Sequence, residues 1–183
     1  MPPPQQEPVS ALEVWTVGHS NRSLEAFLSL LDAFGIGAVA DVRRYPGSRK
    51  FPHFGREALR DALEVEGIRY RWFEALGGRR HGAAREDSPN TGLKSAGFRN
   101  YADYMMTEPC EEAVDRLLGL AHERPTAVMC AEKFYWKCHR RLLSDTLVAR
   151  GVTVQHILGP DQLRPHRMTP GATVTEEGTV VYR

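Results

Sequence analysis

Hydrophobic positions along this chain follow two alternating rhythms. Short, mainly apolar runs of five to seven residues occur at Leu12–Val17, Ile36–Val42, Thr126–Cys130 and Val152–Leu158. Runs of that length suit strands covered on both faces. Between them, apolar residues recur at helical spacing. "RSLEAFLSLLDAFG" places Leu24, Phe27, Leu28 and Leu31 on one face, with Asn21 or Ser23 available to cap its start and Gly35 to stop it. "REALRDALEVEG" does the same with Leu59, Ala62 and Leu63 before Gly67, and "EEAVDRLLGLAH" with Val114, Leu117, Leu118 and Ala121. "FRNYADYMM" and "KCHRRLLSDTLVARG" also have helical character, "IRYRWF" alternates as a strand does, and "ATVTEEGTVVYR" predicts a hairpin turning at Glu177-Gly178.

Strands separated by helices predict an α/β fold: one domain with a mainly parallel sheet, helices on both faces and a C-terminal β-hairpin. The expected organisation is a disordered leader over residues 1–11, an α/β domain over 12–158 and an extension with the hairpin over 159–183. The polar, glycine-rich stretch from Gly77 to Gly97 is long for an internal loop, which makes it a lid or an insertion.

Composition narrows the functional classes. The 183 residues are 42% apolar, enough for one full core, and the net charge of +1 gives no global attraction to nucleic acid or membrane. Charge is uneven, however. Between Arg43 and Arg80, ten Lys or Arg stand against five acids, a local surplus of five positive charges. Three cysteines do not make a disulfide framework, the start resembles no signal peptide, and no apolar run reaches the ~20 residues that cross a bilayer. A cytoplasmic protein without membrane attachment is expected. GxGxxG after the first strand and GxxxxGK[ST] are both missing, which argues against ordinary dinucleotide and P-loop chemistry.

Candidate chemistry gathers at three strand ends. The first strand runs into Gly18-His19-Ser20-Asn21-Arg22, the second carries Asp41 and Arg43, and the strand ending at Cys130 is followed by Glu132. In open parallel sheets these C-terminal ends border the ligand crevice, so the three clusters converge if their strands are neighbours. Taken singly, each residue is more often explained by loop capping or a structural ion pair.

The blocks "TVGHSNRSLEAF", "ADVRRYPGSRKFPHF", "LGGRR", "YADYM" and "MCAEKFYWKCHRRLL" resemble, in order, those of a bacterial family known as domain of unknown function 488. The likeness runs from about Thr16 to Leu158. It implies an α/β fold and a shared site that includes Gly18–Arg22, Asp41–Arg43, Cys130–Glu132 and Cys138–Arg140. It implies no reaction. In this chain the aromatic trio Phe134-Tyr135-Trp136 fills the spacer between the two cysteines.

"CAEKFYWKCHRR" admits three readings. A zinc-stabilised scaffold would need ligands beyond Cys130 and Cys138, whose separation is wider than a zinc knuckle uses. A catalytic thiol favours Cys138, beside His139 and Arg140 near a helix start. A polar pocket would use Asp41 and Glu132 as acid and base, with His19 or His139 carrying a proton. Gly18, Ser20, Asn21, Arg22, Arg43, Cys130 and Arg140 would then hold an anion, and Arg79 and Arg80 would close over it. The preferred expectation is this pocket: an enzyme, hydrolase or transferase, for a phosphate-bearing ligand such as a nucleotide or nucleic-acid end. No metal and no particular cofactor is indicated. The rival is a non-catalytic nucleic-acid module that stacks bases on Tyr45, Phe51 or Phe54. The hairpin leaves a homo-oligomer open.

Overall fold

The computed structural model describes residues 10–81 and 85–183. The expected leader therefore lies, for residues 1–9, outside the described residues, as do 82–84 of the glycine-rich stretch.

Five strands are parallel: β1 (Glu13–Gly18), β2 (Ala38–Asp41), β3 (Arg69–Trp72), β4 (Thr126–Cys130) and β5 (Thr153–Gly159). A sixth, β6 (Gln162–Pro165), runs antiparallel to β5, and the sheet order is β3-β2-β4-β1-β5-β6. All four residues of β6 are exposed, so no apolar alternation announces it, and a proline is tolerated there because it sits on a sheet edge.

The buried strands divide their side chains between two cores, as alternate residues must. Val17, Val39, Ala127, Met129 and Ile157 face α1 (Leu24–Ala33) and α2 (Arg56–Val65). Val14, Ala40, Val128, Cys130 and Val154 face α4 (Glu108–Glu123) and α5 (Arg140–Ala149). Ser23 is the residue that caps α1, its hydroxyl accepting from the Ala26 N–H at 3.1 Å.

α3 (Ala96–Met105) belongs to a third cluster. It packs with Leu142 of α5 under the hairpin β7 (Ala172–Val174) and β8 (Val180–Tyr182), so the hairpin covers its own chain. The same hairpin fastens part of the stretch expected to be a lid. The Asn90 side chain accepts from the Tyr182 N–H at 3.0 Å and donates to buried Asp103 at 2.7 Å, and the backbone of Gly92 lies against Arg183. Residues 88–93 are thus a pinned segment rather than a free flap.

One boundary matters for chemistry. The sequence predicts a helix from Lys137, but residues 135–137 form a 3-10 turn and α5 begins at Arg140. Cys138 and His139 occupy the break between them.

Candidate functional site

The three motif-bearing strands are adjacent, in the order β2-β4-β1. Gly18 pairs with Cys130 and Asp41 with Met129, so their ends are level. From β1 the chain crosses one way to β2, while from β4 it crosses the other way to β5. Such a switch point leaves a crevice above the strand ends. Pairing continues into the loops, where the His19 N–H donates to the Cys130 carbonyl at 2.9 Å and the Ser20 N–H to the Ala131 carbonyl at 3.0 Å. Gly18 permits this approach: a Cβ there would stand 1.9 Å from the Glu132 carbonyl oxygen.

The crevice has a volume of about 990 Å³. Six cations line it, Arg43, Arg44, Lys50, Arg79, Lys133 and Lys137, against the single carboxylate of Glu132. Two of the six are paired, Arg43 with Asp41 at 2.7 Å and Arg44 with Glu74 at 3.8 Å, so the positive surplus of the wall rests chiefly on Lys50, Arg79, Lys133 and Lys137.

On the β2 side, Asp41 is fully buried and fully engaged. It takes a fork from Arg43 at 2.9 and 2.7 Å and the Tyr70 hydroxyl at 2.5 Å. Burial together with the Asp41 charge pushes the Tyr70 phenol far up, so it donates at any ordinary pH. Asp41 does not reach the crevice wall; it holds Arg43, whose remaining donors go to the Phe54 carbonyl at 2.8 Å and toward His19 Nε2 at 3.4 Å. His19 donates from Nδ1 to the Ser20 carbonyl at 2.8 Å and stacks on Phe54. Burial lowers its pKa to about 4, despite that bond, and Arg43 adds to the fall, so Nε2 is an acceptor at neutral pH.

On the β4 side, the Cys130 and Cys138 sulfurs lie 2.8 Å apart, both buried and both on the crevice wall. His139 donates from Nε2 to the Val42 carbonyl at 3.0 Å, which leaves Nδ1 facing Cys138 Sγ at 3.4 Å. The edge of Tyr101 supports the ring. Arg140 is buried behind the sulfurs. It bonds the Glu132 and Lys133 carbonyls and Thr16, and it has no carboxylate partner in its hydrogen-bond set. Burial alone would raise both thiols. At Cys138 the hydrogen bond from Cys130 and the His139 and Arg140 charges overcome it, and this thiol falls well below the ordinary range. Cys130, donating that bond, rises well above it.

Other residues marked out in the sequence are used differently. Arg22 bonds the Gly18 and Leu158 carbonyls and joins the ends of β1 and β5, off the wall. Arg80 bonds the Gly77 and Glu74 carbonyls and covers the Tyr104 ring. Asn21 and Ser20 do line the crevice, and exposed Glu132 uses its carboxylate to accept from the Phe134 N–H at 3.1 Å. Phe54 is fully buried, so it stacks on His19 and not on a ligand. Sequence reasoning missed Arg44, Lys133 and Lys137 as wall cations and Tyr101 as the support of His139. The signal was present in "LGGRR": a Cβ on Gly78 would lie 2.8 Å from His139 Nδ1, so that glycine makes room for the imidazole. Ser20 and Arg79, the two non-glycine residues with positive φ among the described residues, both sit on the wall.

Residues 23–147 match the model of a family described as "Domain of unknown function DUF488". The chain belongs to the DUF488 family. The matched stretch contains the Asp41–Arg43 block, the glycine pair before Arg79, and both cysteines with His139 and Arg140. In this DUF488 chain the Gly18-to-Arg22 block lies ahead of it, apart from the match, yet its His19, Ser20 and Asn21 line the same crevice. No curated protein and no solved structure matches the chain. Among the described residues, no group of three or more His, Cys, Asp or Glu is placed to hold a metal ion, and no helix is long and apolar enough to cross a membrane.

Proposed function

We propose that this DUF488 protein is an enzyme that transfers or hydrolyses a group on a phosphate-bearing substrate, with Cys138 as the nucleophile. One observation carries the reading: a thiol in contact with an imidazole, accepting from the backbone N–H of buried Arg140, opens into a crevice lined by six cations and one carboxylate. His139 Nδ1 accepts the Cys138 proton as the sulfur attacks, and it returns that proton to the leaving group. Water then releases the group from sulfur. Arg43, held by Asp41, and the flexible Lys50, Lys133 and Lys137 receive the anionic part. Asp41 takes the role of a positioning residue in place of the acid–base role its sequence position suggests.

Alkylation tests this. Iodoacetate, an anion, should modify Cys138 at least about tenfold faster than neutral iodoacetamide after correction for their intrinsic reactivities, and inorganic phosphate should slow it. Equal corrected rates, or alkylation confined to Cys110, would remove the proposal.

A second reading is supported by the crevice rim. Phe134 and Trp136 stack at 4.8 Å beside the wall cations Lys133 and Lys137, and Tyr45, 62% exposed, lines the crevice. Exposed aromatics interleaved with cations suit single-stranded nucleic acid. On that reading affinity for an oligonucleotide falls steeply with salt and falls again on loss of Arg49, Lys50 or Arg56.

A further inference from the structure

We propose that Cys130 and Cys138 act together as a two-electron couple that reduces anionic low-molecular-weight disulfides. The inference rests on the reading of Cys138 as nucleophile and adds a role for the second thiol, which group transfer leaves unused.

Geometry carries it. The cysteines come from different elements, one closing β4 and one preceding α5, yet their sulfurs touch at 2.8 Å, whereas a disulfide bond measures about 2.05 Å. Joining them therefore requires movement of less than an ångström. Both sulfurs are free, and both border the crevice, so a substrate sulfur can reach Cys138 while Cys130 waits beside it. A pair that served only to fill the core would have no need of the cavity wall. The third cysteine, Cys110, lies on α4 in the core and away from the crevice. Charge selects the substrate: six wall cations and one carboxylate favour a disulfide bearing carboxylates over a neutral or cationic one.

The chemistry closes without another group. Cys138 gives its proton to His139 and attacks one sulfur of the substrate. The Cys138–sulfur bond forms, the substrate S–S bond breaks, and the departing thiolate takes the proton from His139. Cys130 then attacks Cys138 Sγ. A Cys130–Cys138 bond forms, the mixed disulfide breaks, and the second thiolate leaves with the Cys130 proton. Two electrons pass from the protein to the substrate, which leaves as two thiols. A dithiol reductant restores the pair by the reverse exchange. Arg140, buried beside both sulfurs, favours the Cys138 thiolate that makes the attack.

The test treats the reduced protein near neutral pH with glutathione disulfide, which carries excess carboxylates, and with cationic cystamine, followed by acid quench, intact mass and peptide mapping. Expected is loss of two hydrogens, a Cys130–Cys138 crosslink and release of two glutathione molecules, at least about tenfold faster than with cystamine at equal concentration. The Cys130→Ala variant should instead retain one glutathione on Cys138. A wild-type protein that stops at that mixed disulfide, or forms no crosslink while iodoacetate still alkylates Cys138, overturns the couple and leaves Cys138 as nucleophile. Inertness of Cys138 to both reagents overturns the couple and the proposed function together.

Discussion

Two polar clusters meet back to back at Arg140, and each contains a pair of histidines. In the crevice lie Cys130, Cys138, His139 and His19. Behind Arg140 lie Thr16, His156, His166, Asp145 and Tyr182. The second cluster is closed. Arg140 only donates and Asp145, as a carboxylate, only accepts, so the protons between them have one consistent order. Arg140 donates to Thr16 at 3.2 Å, Thr16 to His156 at 2.6 Å, His156 to His166 at 2.8 Å and His166 to Asp145 at 2.7 Å. The Thr169 N–H and the Tyr182 hydroxyl supply Asp145 with two further donors, at 2.9 and 2.8 Å. Tyr135 lies flat on His156, which ties this network to the loop between the cysteines. None of Thr16, His156, His166, Asp145 and Tyr182 borders the crevice. What separates a fastening from a site here is surplus: the front cluster keeps two thiols and an imidazole acceptor, His139 Nδ1, on the wall of the crevice.

The largest effect should come from breaking the closed cluster. Asp145→Ala removes the acceptor of three buried donors and should cost roughly 3–5 kcal/mol in urea unfolding. The alkylation rate of Cys138 in the folded fraction should stay within about twofold, because Asp145 touches neither sulfur. A tenfold change in that rate would join the two clusters into one functional unit.

Arg140 is the shared member, so replacing it sharpens the contrast. Arg140→Gln should move the pH midpoint of Cys138 alkylation up by about one unit or more, with a rate loss of about tenfold at neutral pH. Arg140→Lys should recover part of the shift, a rescue that a role in packing alone would not produce.

Legibility followed the same divide. Strand and helix positions were readable because buried runs and 3.6-residue spacing record which face is covered, as at Val39 and Leu59. Convergence of His19, Asp41 and Cys130 was readable because parallel strands present their C-terminal ends together. The use of each side chain was not. Asp41 and Glu132 look alike in sequence, yet Arg43 and Tyr70 absorb one and the other caps a turn. His156 and His166 attracted no notice, because their partners, Thr16, Asp145 and Tyr182, are spread across most of the chain. β6 stayed hidden since an exposed edge leaves no apolar rhythm.

Acid should distinguish the clusters by degree. The ordinary histidine value of 6.5 falls to about 4 at His19 and to about 2 at His156, in both cases chiefly through burial. The unfolded chain therefore binds protons from pH 6.5 downward while the folded chain does not. Stability is full above that value and declines as pH falls toward 4 for His19 and toward 2 for His156, by up to about 1.4 kcal/mol per pH unit for each. His156→Gln should flatten the decline between pH 6 and 3 more than His19→Gln does, measured by thermal unfolding; the reverse order would show that the crevice is the drier of the two.

The smallest effect tests the surplus itself. Glu132 is exposed and contributes the only negative charge among the wall residues. The bond its carboxylate accepts from the Phe134 N–H survives in Glu132→Gln, because the amide oxygen accepts equally well. Removing the charge then leaves the six wall cations with no carboxylate on the wall itself. Iodoacetate should react with Cys138 about twofold faster in this variant, iodoacetamide at an unchanged rate, and the difference should vanish in high salt, where exposed charges are screened. If Glu132 were instead the acid or base of the reaction, iodoacetate would gain nothing from its loss and turnover of any true substrate would disappear.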